Sequence, residues 1–360
     1  MRSTSFRRSW RLLALLLSLT LLAAACGDGA DNESGDGSAD AGNGGSEAVS
    51  GDIVITGSST VEPISSLVAE NFQADNPDVT PTVDGPGTGD GFELFCNGEA
   101  DITDASRAIE AEEATACEES GVEFIELRVA FDGISVLTSP ENDVTCLTFE
   151  DLYALVGPES EGVTNWSDAQ ALATELGSDT ELPDAPLDIT APGEESGTYD
   201  SFIELALGDI AEARLESGDI TEEQAETTRP DYTSSADDNI IIEGVGGSDS
   251  SLGWVGFAFA ENAGDTVKEL EVDGGDGCTA PSADSISDES YPLSRPLFIY
   301  VNSQNLESNA ALRPFVEYYL SEDGLAAVEE TGYVPLPDDQ LTESASAFED
   351  GTTGTREESE

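Results

Sequence analysis

Three times along the chain, a short apolar run leads into a turn of Gly, Ser and Thr and then into apolar residues at helical spacing. The turns are "GSST" at 57–60, "GPGTGDG" at 85–91 and "ESGT" at 195–198. The β-branched runs predict strands and the 3.6-residue spacing predicts helices, so the chain is predicted to be α/β. Exposed N–H groups and hydroxyls at a helix start favour an anion.

The same sequence patterns occur in the rest of the chain. Further strands are predicted at 122–139, 252–260 and 295–301, and further helices at 147–157, 209–217 and 311–321. Strands that alternate with helices in this way strengthen the α/β prediction.

The N-terminus predicts export. Four arginines among the first eleven residues precede an apolar run, small residues and Cys26, which is typical of a secretory signal. "LLAAAC" is similar to a bacterial lipobox, although Leu22 lies one place further upstream than the usual leucine. We therefore assign residues 1–25 to a lipoprotein signal peptide and Cys26 to lipidation. A plain signal peptide or an uncleaved anchor is the alternative.

Two polar segments flank the predicted fold. Residues 26–50 contain no aromatic side chain and much Gly, Ser and Asp, which predicts a flexible tether. The chain from about Glu343 is similarly polar, so residues 341–360 are predicted to form a frayed tail. About 290 residues remain, which is enough for two domains of ordinary size. No apolar run after the signal approaches the ~20 residues of a membrane span.

Composition excludes several functions. The chain has 76 Asp and Glu against 12 Lys and Arg, a formal net charge of -64, which would repel nucleic acid and anionic lipid. Solubility is a sufficient explanation of this acidity. The chain has no histidine, so a Ser-His-Asp or Cys-His catalytic site cannot be built. Hydrolysis by paired carboxylates remains possible on composition alone, and no cofactor is expected.

Four cysteines remain besides Cys26. An even number in an exported chain predicts two disulfides, and four cysteines allow three pairings. Proximity in sequence favours Cys96–Cys117, which leaves Cys146–Cys278. A metal site is the alternative, but the spacings contain no C-x-x-C pair.

Four segments together indicate a family. In this order, "ITGSSTVEPISSLVAENF", "DGPGTGDGFELFCNGEADITDASRAI", "APGEESGTYDSF" and "GWVGFAFAEN" resemble the phosphate-binding protein of ABC phosphate importers. The resemblance covers about residues 52–337. It implies a two-domain type II periplasmic-binding-protein fold with two interdomain crossings and a ligand cleft between the domains. Domain I would be residues 51–131 plus 293–340, and domain II residues 132–292.

The resemblance also implies which residues bind phosphate. They belong to the three turns and the loop after the second helix: Ser59, Thr60, Val61, Thr88, Ser106, Arg107, Ser196, Gly197 and Thr198. The Thr60 hydroxyl and the Val61 N–H would donate from the first turn. Thr88 would donate from the second turn.

This chain departs from one branch of the family at two positions. Ser106 aligns with an Asp that accepts the proton of hydrogen phosphate, and Pro192 stands where that branch has an Arg. The chain resembles the other branch, in which a Ser-Arg pair follows the second helix. Arg107 would then supply the fixed positive charge, with Arg128 and Arg295 as alternatives.

A carboxylate beside the anion would distinguish phosphate from sulfate, because at neutral pH phosphate carries a proton to donate and sulfate does not. By position, the candidates for the proton acceptor are Asp104, Asp90 and Glu195. None of them matches the Asp of the family.

The resulting hypothesis is capture of inorganic phosphate without catalysis. The protein would be a monomer, lipid-anchored on the outer face of the cytoplasmic membrane, and would deliver phosphate to the membrane permease of an ABC transporter. Alternatives are a binding protein for sulfate or molybdate, a phosphate sensor, and an adhesin that reuses the fold. A phosphoester hydrolase that uses Ser196 with Glu194 or Glu195 is a remote alternative.

Overall fold

The computed structural model describes residues 49–194 and 196–356. The predicted signal peptide, Cys26 and most of the predicted tether lie outside the described residues, as does Glu195.

The described residues alternate strands with helices, which confirms the α/β prediction. The strands are β1 Gly51–Gly57, β2 Val79–Asp84, β3 Ile102–Ala105, β4 Phe124–Thr138, β5 Cys146–Thr148, β6 Asp188–Ala191, β7 Thr233–Ser234, β8 Ser251–Gly256, β9 Lys268–Glu269, β10 Glu271–Asp273, β11 Ser294–Asn302 and β12 Val334–Pro335. The helices are α1 Glu62–Asp75, α2 Thr88–Cys96, α3 Ala111–Ser120, α4 Phe149–Val156, α5 Gln170–Leu176, α6 Gly197–Phe202, α7 Gly208–Ser217, α8 Glu222–Ala225, α9 Asp238–Gly246, α10 Phe257–Ala263, α11 Ala283–Ser287, α12 Asn305–Ser308, α13 Leu312–Tyr319, α14 Glu322–Glu330 and α15 Asp338–Asp350.

One large sheet has the strand order β2-β1-β3-β11-β4-β8-β6-β7, with β9 and β12 also paired to β4. β1 is parallel to β2 and β3, and β6 is parallel to β7 and β8. The long strand β4 joins these two parallel parts, because its first two-thirds pair with β11 and its last five residues pair with β8.

The apolar residues form two large cores. One consists of residues from 53–130 and 297–348, and the other of residues from 131–293 together with Val334 and Leu336. On β4, the change from the first core to the second falls between Ala130 and Phe131. The strand β4 therefore contributes to both cores.

Two disulfides cross-link the fold. One is the pair that sequence proximity favoured, and the other is the pair that then remained. Cys96–Cys117 joins the end of α2 to α3, and Cys146–Cys278 joins β5 to the segment after β10. The predicted pairing is confirmed.

Most predicted elements are present, with one clear error. The apolar run 252–260 is not one strand, because β8 ends at Gly256 and the helix α10 begins at Phe257. Phe257 and Ala260 then share a buried face at helical spacing. A short apolar run does not distinguish a buried strand from a buried helix by its pattern.

The prediction of a frayed tail is wrong for the described residues of that segment. Residues 338–350 form α15, which buries Ser344, Ala347 and Phe348 on one face. Beyond the helix, the Gly354 N–H donates to the Phe124 carbonyl at 2.9 Å. Ser344, Ala347 and Phe348 fall at i, i+3 and i+4, so one face of the helix is buried although most of the tail is polar.

No helix among the described residues combines the length and the apolar character that a membrane crossing requires.

The docked tail gives a stability prediction. Phe348 is 2% exposed, so Phe348→Ala should lower the free energy of unfolding by about 3–5 kcal/mol in urea denaturation. The matched control is Glu349→Ala, which truncates an exposed side chain of the same helix and should change stability by about 0.5 kcal/mol or less. Equal stability of the two variants would show that α15 does not pack on the core.

Candidate functional site

The first two predicted turns meet at one edge of the sheet. Because β1 and β2 are parallel neighbours, their carboxyl ends lie side by side, and α1 and α2 begin there. The parallel strand β3 ends at the same edge. The Gly87 N–H donates to the Gly57 carbonyl and the Ser58 N–H to the Asp104 carbonyl, both at 2.9 Å. Gly57 has φ 134°, and a Cβ there would lie 2.1 Å from the Asp104 carbonyl oxygen. Only glycine fits this crossing.

The third turn packs against the first. A Cβ on Gly197 would lie 3.7 Å from Cα of Thr60, so the start of α6 faces the start of α1. The hydroxyls of Thr60 and Ser201 are 3.2 Å apart, and the Ser59 hydroxyl donates to Asp200 at 3.4 Å. The helix α6 continues through a π-helical turn at Ile203–Leu207 into α7.

A buried arginine lies where these two turns meet. Arg295, at the start of β11, is 7% exposed. Its Nη2 donates to the Thr60 hydroxyl at 3.2 Å and to the Ser201 hydroxyl at 2.9 Å. Its Nη1 lies 2.5 Å from Glu204, and its Nε lies 3.4 Å from Asp132. The site therefore has a fixed cation that the sequence offered only as an alternative.

Burial and the charged neighbours together set the pKa values of this cluster. Burial alone would lower the pKa of Arg295, but the Glu204 and Asp132 carboxylates outweigh it and hold the pKa above its ordinary value. Burial raises the pKa of Asp132, although Arg295 opposes the shift. Burial also raises the pKa of Tyr333, whose hydroxyl would lie 3.8 Å from a Cβ on Gly197. The cluster thus presents a charged guanidinium and a protonated phenol.

Thr88, on the second turn, lies close to Ser106, which directly follows β3. Their hydroxyls are 3.1 Å apart, and the Ser106 N–H donates to the Thr88 hydroxyl at 3.3 Å. Thr88 is the first residue of α2, where N–H groups lack intrahelical partners.

Arg107 follows this pair, but its guanidinium is engaged elsewhere. It binds both carboxylate oxygens of Glu113, at 2.8 and 2.7 Å, and its Nε lies 3.3 Å from Glu110. The bond to Glu113 raises the pKa of Arg107 most, and Glu110 and Glu204 add to the shift. The guanidinium of Arg107 therefore stays charged and is paired with the carboxylates of Glu110 and Glu113 at the start of α3.

Some of the remaining predicted donors already have an acceptor, and others have none within their helix. The Val61 N–H donates to the Ser58 carbonyl at 3.2 Å, so this predicted donor is already used within the turn. The Ser196 N–H donates to the Gly193 carbonyl at 3.0 Å. Gly197 and Thr198 open α6, so their N–H groups have no intrahelical partner. Ser59, Ser196 and Gly197 line a cavity of about 350 Å³ together with Asp200.

The described candidates for the proton acceptor differ in their burial. Asp104 is buried and accepts a hydrogen bond from Ser65 at 2.9 Å, one helical turn into α1. Asp90 is exposed in the first turn of α2, and Glu195 lies outside the described residues.

Four residues that were not predicted from the sequence also belong to the candidate site. They are Asp132, Asp200, Ser201 and Glu204. One signal was available, because Ser201 follows Thr198 by three residues and so lies near it on a helix. A second signal was Asp132 itself, an acid that directly follows the apolar run 129–131 within a strand sequence.

Comparisons with known proteins agree with this architecture. The family model described as PBP superfamily domain matches residues 42–323. Protein SphX of Synechocystis sp. is 38% identical over 306 residues, which cover 84% of each chain. Phosphate-binding protein PstS of Staphylococcus saprophyticus is 33% identical over 346 residues, which cover 95% of each chain. A crystal structure of a possible phosphate binding protein from Planctomyces limnophilus superimposes with a TM-score of 0.74 at 35% identity, covering 84% of this chain and 99% of that one.

The chain therefore belongs to the PBP superfamily, and PstS and SphX proteins are its relatives. The family and the fold that the four sequence segments indicated are confirmed.

The buried carboxyl of Asp104 predicts a pH dependence of stability. Burial raises its pKa from 3.8 to about 8 in the folded protein. The neutral form therefore stabilises the fold fully below pH ~4, and this contribution is lost as the pH rises through ~8. Relative to Asp104→Asn, the free energy of unfolding of the wild type should fall by up to about 1.4 kcal/mol per pH unit.

Urea denaturation at several values between pH 5 and 8 would measure this difference. Asp90→Asn, on an exposed carboxylate, is the matched control and should run parallel to the wild type. A parallel profile for Asp104→Asn as well would contradict the raised pKa.

Proposed function

We propose that this protein is an extracytoplasmic solute-binding lipoprotein that captures inorganic phosphate and delivers it to the permease of an ABC importer. One observation carries the proposal: a buried guanidinium, that of Arg295, is hydrogen-bonded to the hydroxyl of Thr60, just before α1, and to the hydroxyl of Ser201, on the facing helix α6. The name of the PstS relative, a phosphate-binding protein, supports phosphate as the anion.

The chemistry needed is modest. Phosphate would receive hydrogen bonds from the hydroxyls of the first and second turns and from the free N–H groups that open α6. Each bond to a charged group contributes ~1.5–3 kcal/mol net. Micromolar affinity requires about 8 kcal/mol, so several such bonds suffice after the costs of association. The acidic surface does not prevent this, since salt screens its charges beyond ~8–10 Å.

The two cores support a division into lobes. We assign residues 51–131 plus 293–340 to the first lobe and 132–292 to the second, and we add α15 to the first because Phe348 joins its core. The lobes would close on the ligand by bending where β4 and β11 pass between them. Capture is reversible binding and not catalysis, and the relatives are binding proteins rather than enzymes.

Cys26 would anchor the protein on the outer face of the cytoplasmic membrane, with residues 27–50 as the tether. The protein would act there as a monomer. A chain of formal net charge -64 would stay clear of an anionic bilayer except at the lipid itself.

Isothermal titration of the protein without its signal and lipid tests the ligand. Phosphate should bind with a micromolar or lower Kd, and sulfate and molybdate should bind more weakly. Thr60→Val, which replaces a 3%-exposed hydroxyl by a methyl group, should weaken phosphate binding by about tenfold or more.

The matched control is Thr115→Val. Thr115 is exposed on α3, and its hydroxyl donates to the Ala111 carbonyl of the same helix at 2.7 Å. This variant should bind phosphate as the wild type does. Heat with sulfate or molybdate and none with phosphate would overturn the assignment.

A further inference from the structure

Arg295 has two carboxylate partners that differ in kind. Asp132 is 3% exposed and lies directly opposite Arg295 in the pairing of β11 with β4. The side chain of Glu204 is 57% exposed and comes from the π-helical turn after α6. Asp132 is therefore held in place by the surrounding packing, whereas the side chain of Glu204 is exposed enough to turn into solvent.

Glu204 contacts the guanidinium beside the predicted phosphate donors. Nη1 of Arg295 meets the Glu204 carboxylate, while Nη2 of the same group donates to the Thr60 hydroxyl. Carboxylate and phosphate oxygens both fit the planar fork of a guanidinium. An anion that reaches Thr60 would therefore meet a guanidinium edge that Glu204 already covers.

We propose that Arg295 is the cationic ligand of the captured anion and that Glu204 competes with the anion for it. This inference rests on the proposed function of phosphate capture. Arg107 is less suited to the role, because both oxygens of Glu113 and one of Glu110 already surround its guanidinium.

The competition has a consequence for selectivity. With Asp132 and Glu204 together, two carboxylates face one guanidinium, so an incoming anion gains little. When Glu204 leaves, one carboxylate remains on the guanidinium. An oxyanion with two charges and several oxygens then displaces Glu204 more readily than a simple monocarboxylate does, since only it can bind the guanidinium and the hydroxyls together. Glu204 thus sets a threshold that favours phosphate over small carboxylates.

The test is titration of inorganic phosphate into three variants and the wild type. Glu204→Gln should lower the Kd by about two- to fivefold, the range expected from an exposed ion pair. Glu204→Asp keeps the charge but shortens the side chain by one methylene, so it should also bind more tightly. The matched control is Glu212→Gln, on an exposed glutamate of α7, which should leave the Kd unchanged.

Three other outcomes of the titration would contradict the proposal or the function on which it rests. If Glu204→Gln binds as the wild type does, or more weakly, the competition is refuted. If Glu204→Gln tightens binding but Glu204→Asp does not, the effect is long-range repulsion and the proposed contact is refuted. If no variant and no wild-type sample binds phosphate, the proposed function fails instead.

A second background tests the role of Arg295. In Arg295→Lys, which keeps the positive charge beside Asp132, phosphate should bind at least about tenfold more weakly, and adding Glu204→Gln should no longer tighten binding. Circular dichroism melting would establish that this variant is folded. A full gain from Glu204→Gln in the lysine background would overturn the assignment of Arg295.

Discussion

The ion pair of Arg295 and Asp132 is the constraint on which the site depends. Two charges buried this deeply lose their hydration, and their attraction offsets that cost only when further hydrogen bonds complete the geometry. Here the hydroxyls of Thr60 and Ser201 accept hydrogen bonds from Nη2 of Arg295. Because one partner is on β4, another on the first turn and a third on α6, these contacts hold three parts of the chain together. The candidate site is the place where they meet.

Local sequence pattern predicted most of the helices and strands. It failed where packing against residues distant in sequence determines the secondary structure. The turn at 57–60 was readable because glycine followed by hydroxyl residues ends a strand and starts a helix through short-range bonding. The helix α15 was not readable, because the surrounding residues are polar and only burial of Phe348 against a remote core holds it. The boundary between β8 and α10 failed for a related reason, since apolar residues on both sides are buried.

The candidate site likewise contains some residues that local sequence pattern indicates and others that depend on distant contacts. Thr60, Thr88 and Gly197 were predicted from the chemistry of helix starts, which needs only neighbours in sequence. Arg295 was ranked below Arg107 because Arg107 lies inside a motif, whereas the position of Arg295 depends on its register opposite Asp132. A local signal pointed to other partners for Arg107. Glu110 and Glu113 form a capping box at the start of α3, with two carboxylates close to the arginine in sequence.

The acidity of the chain and the capture of an anion are compatible because they act over different distances. With 76 acidic and 12 basic residues, the long-range field opposes the approach of phosphate. Beyond the screening length of ~8–10 Å this field is weak, so the short-range donors decide the affinity. Those donors are backbone N–H groups and hydroxyls, which carry no net charge and need no counter-ion. A single guanidinium then adds charge where Asp132 already compensates its burial, and the remaining carboxylate, Glu204, is the one partner exposed enough to give way.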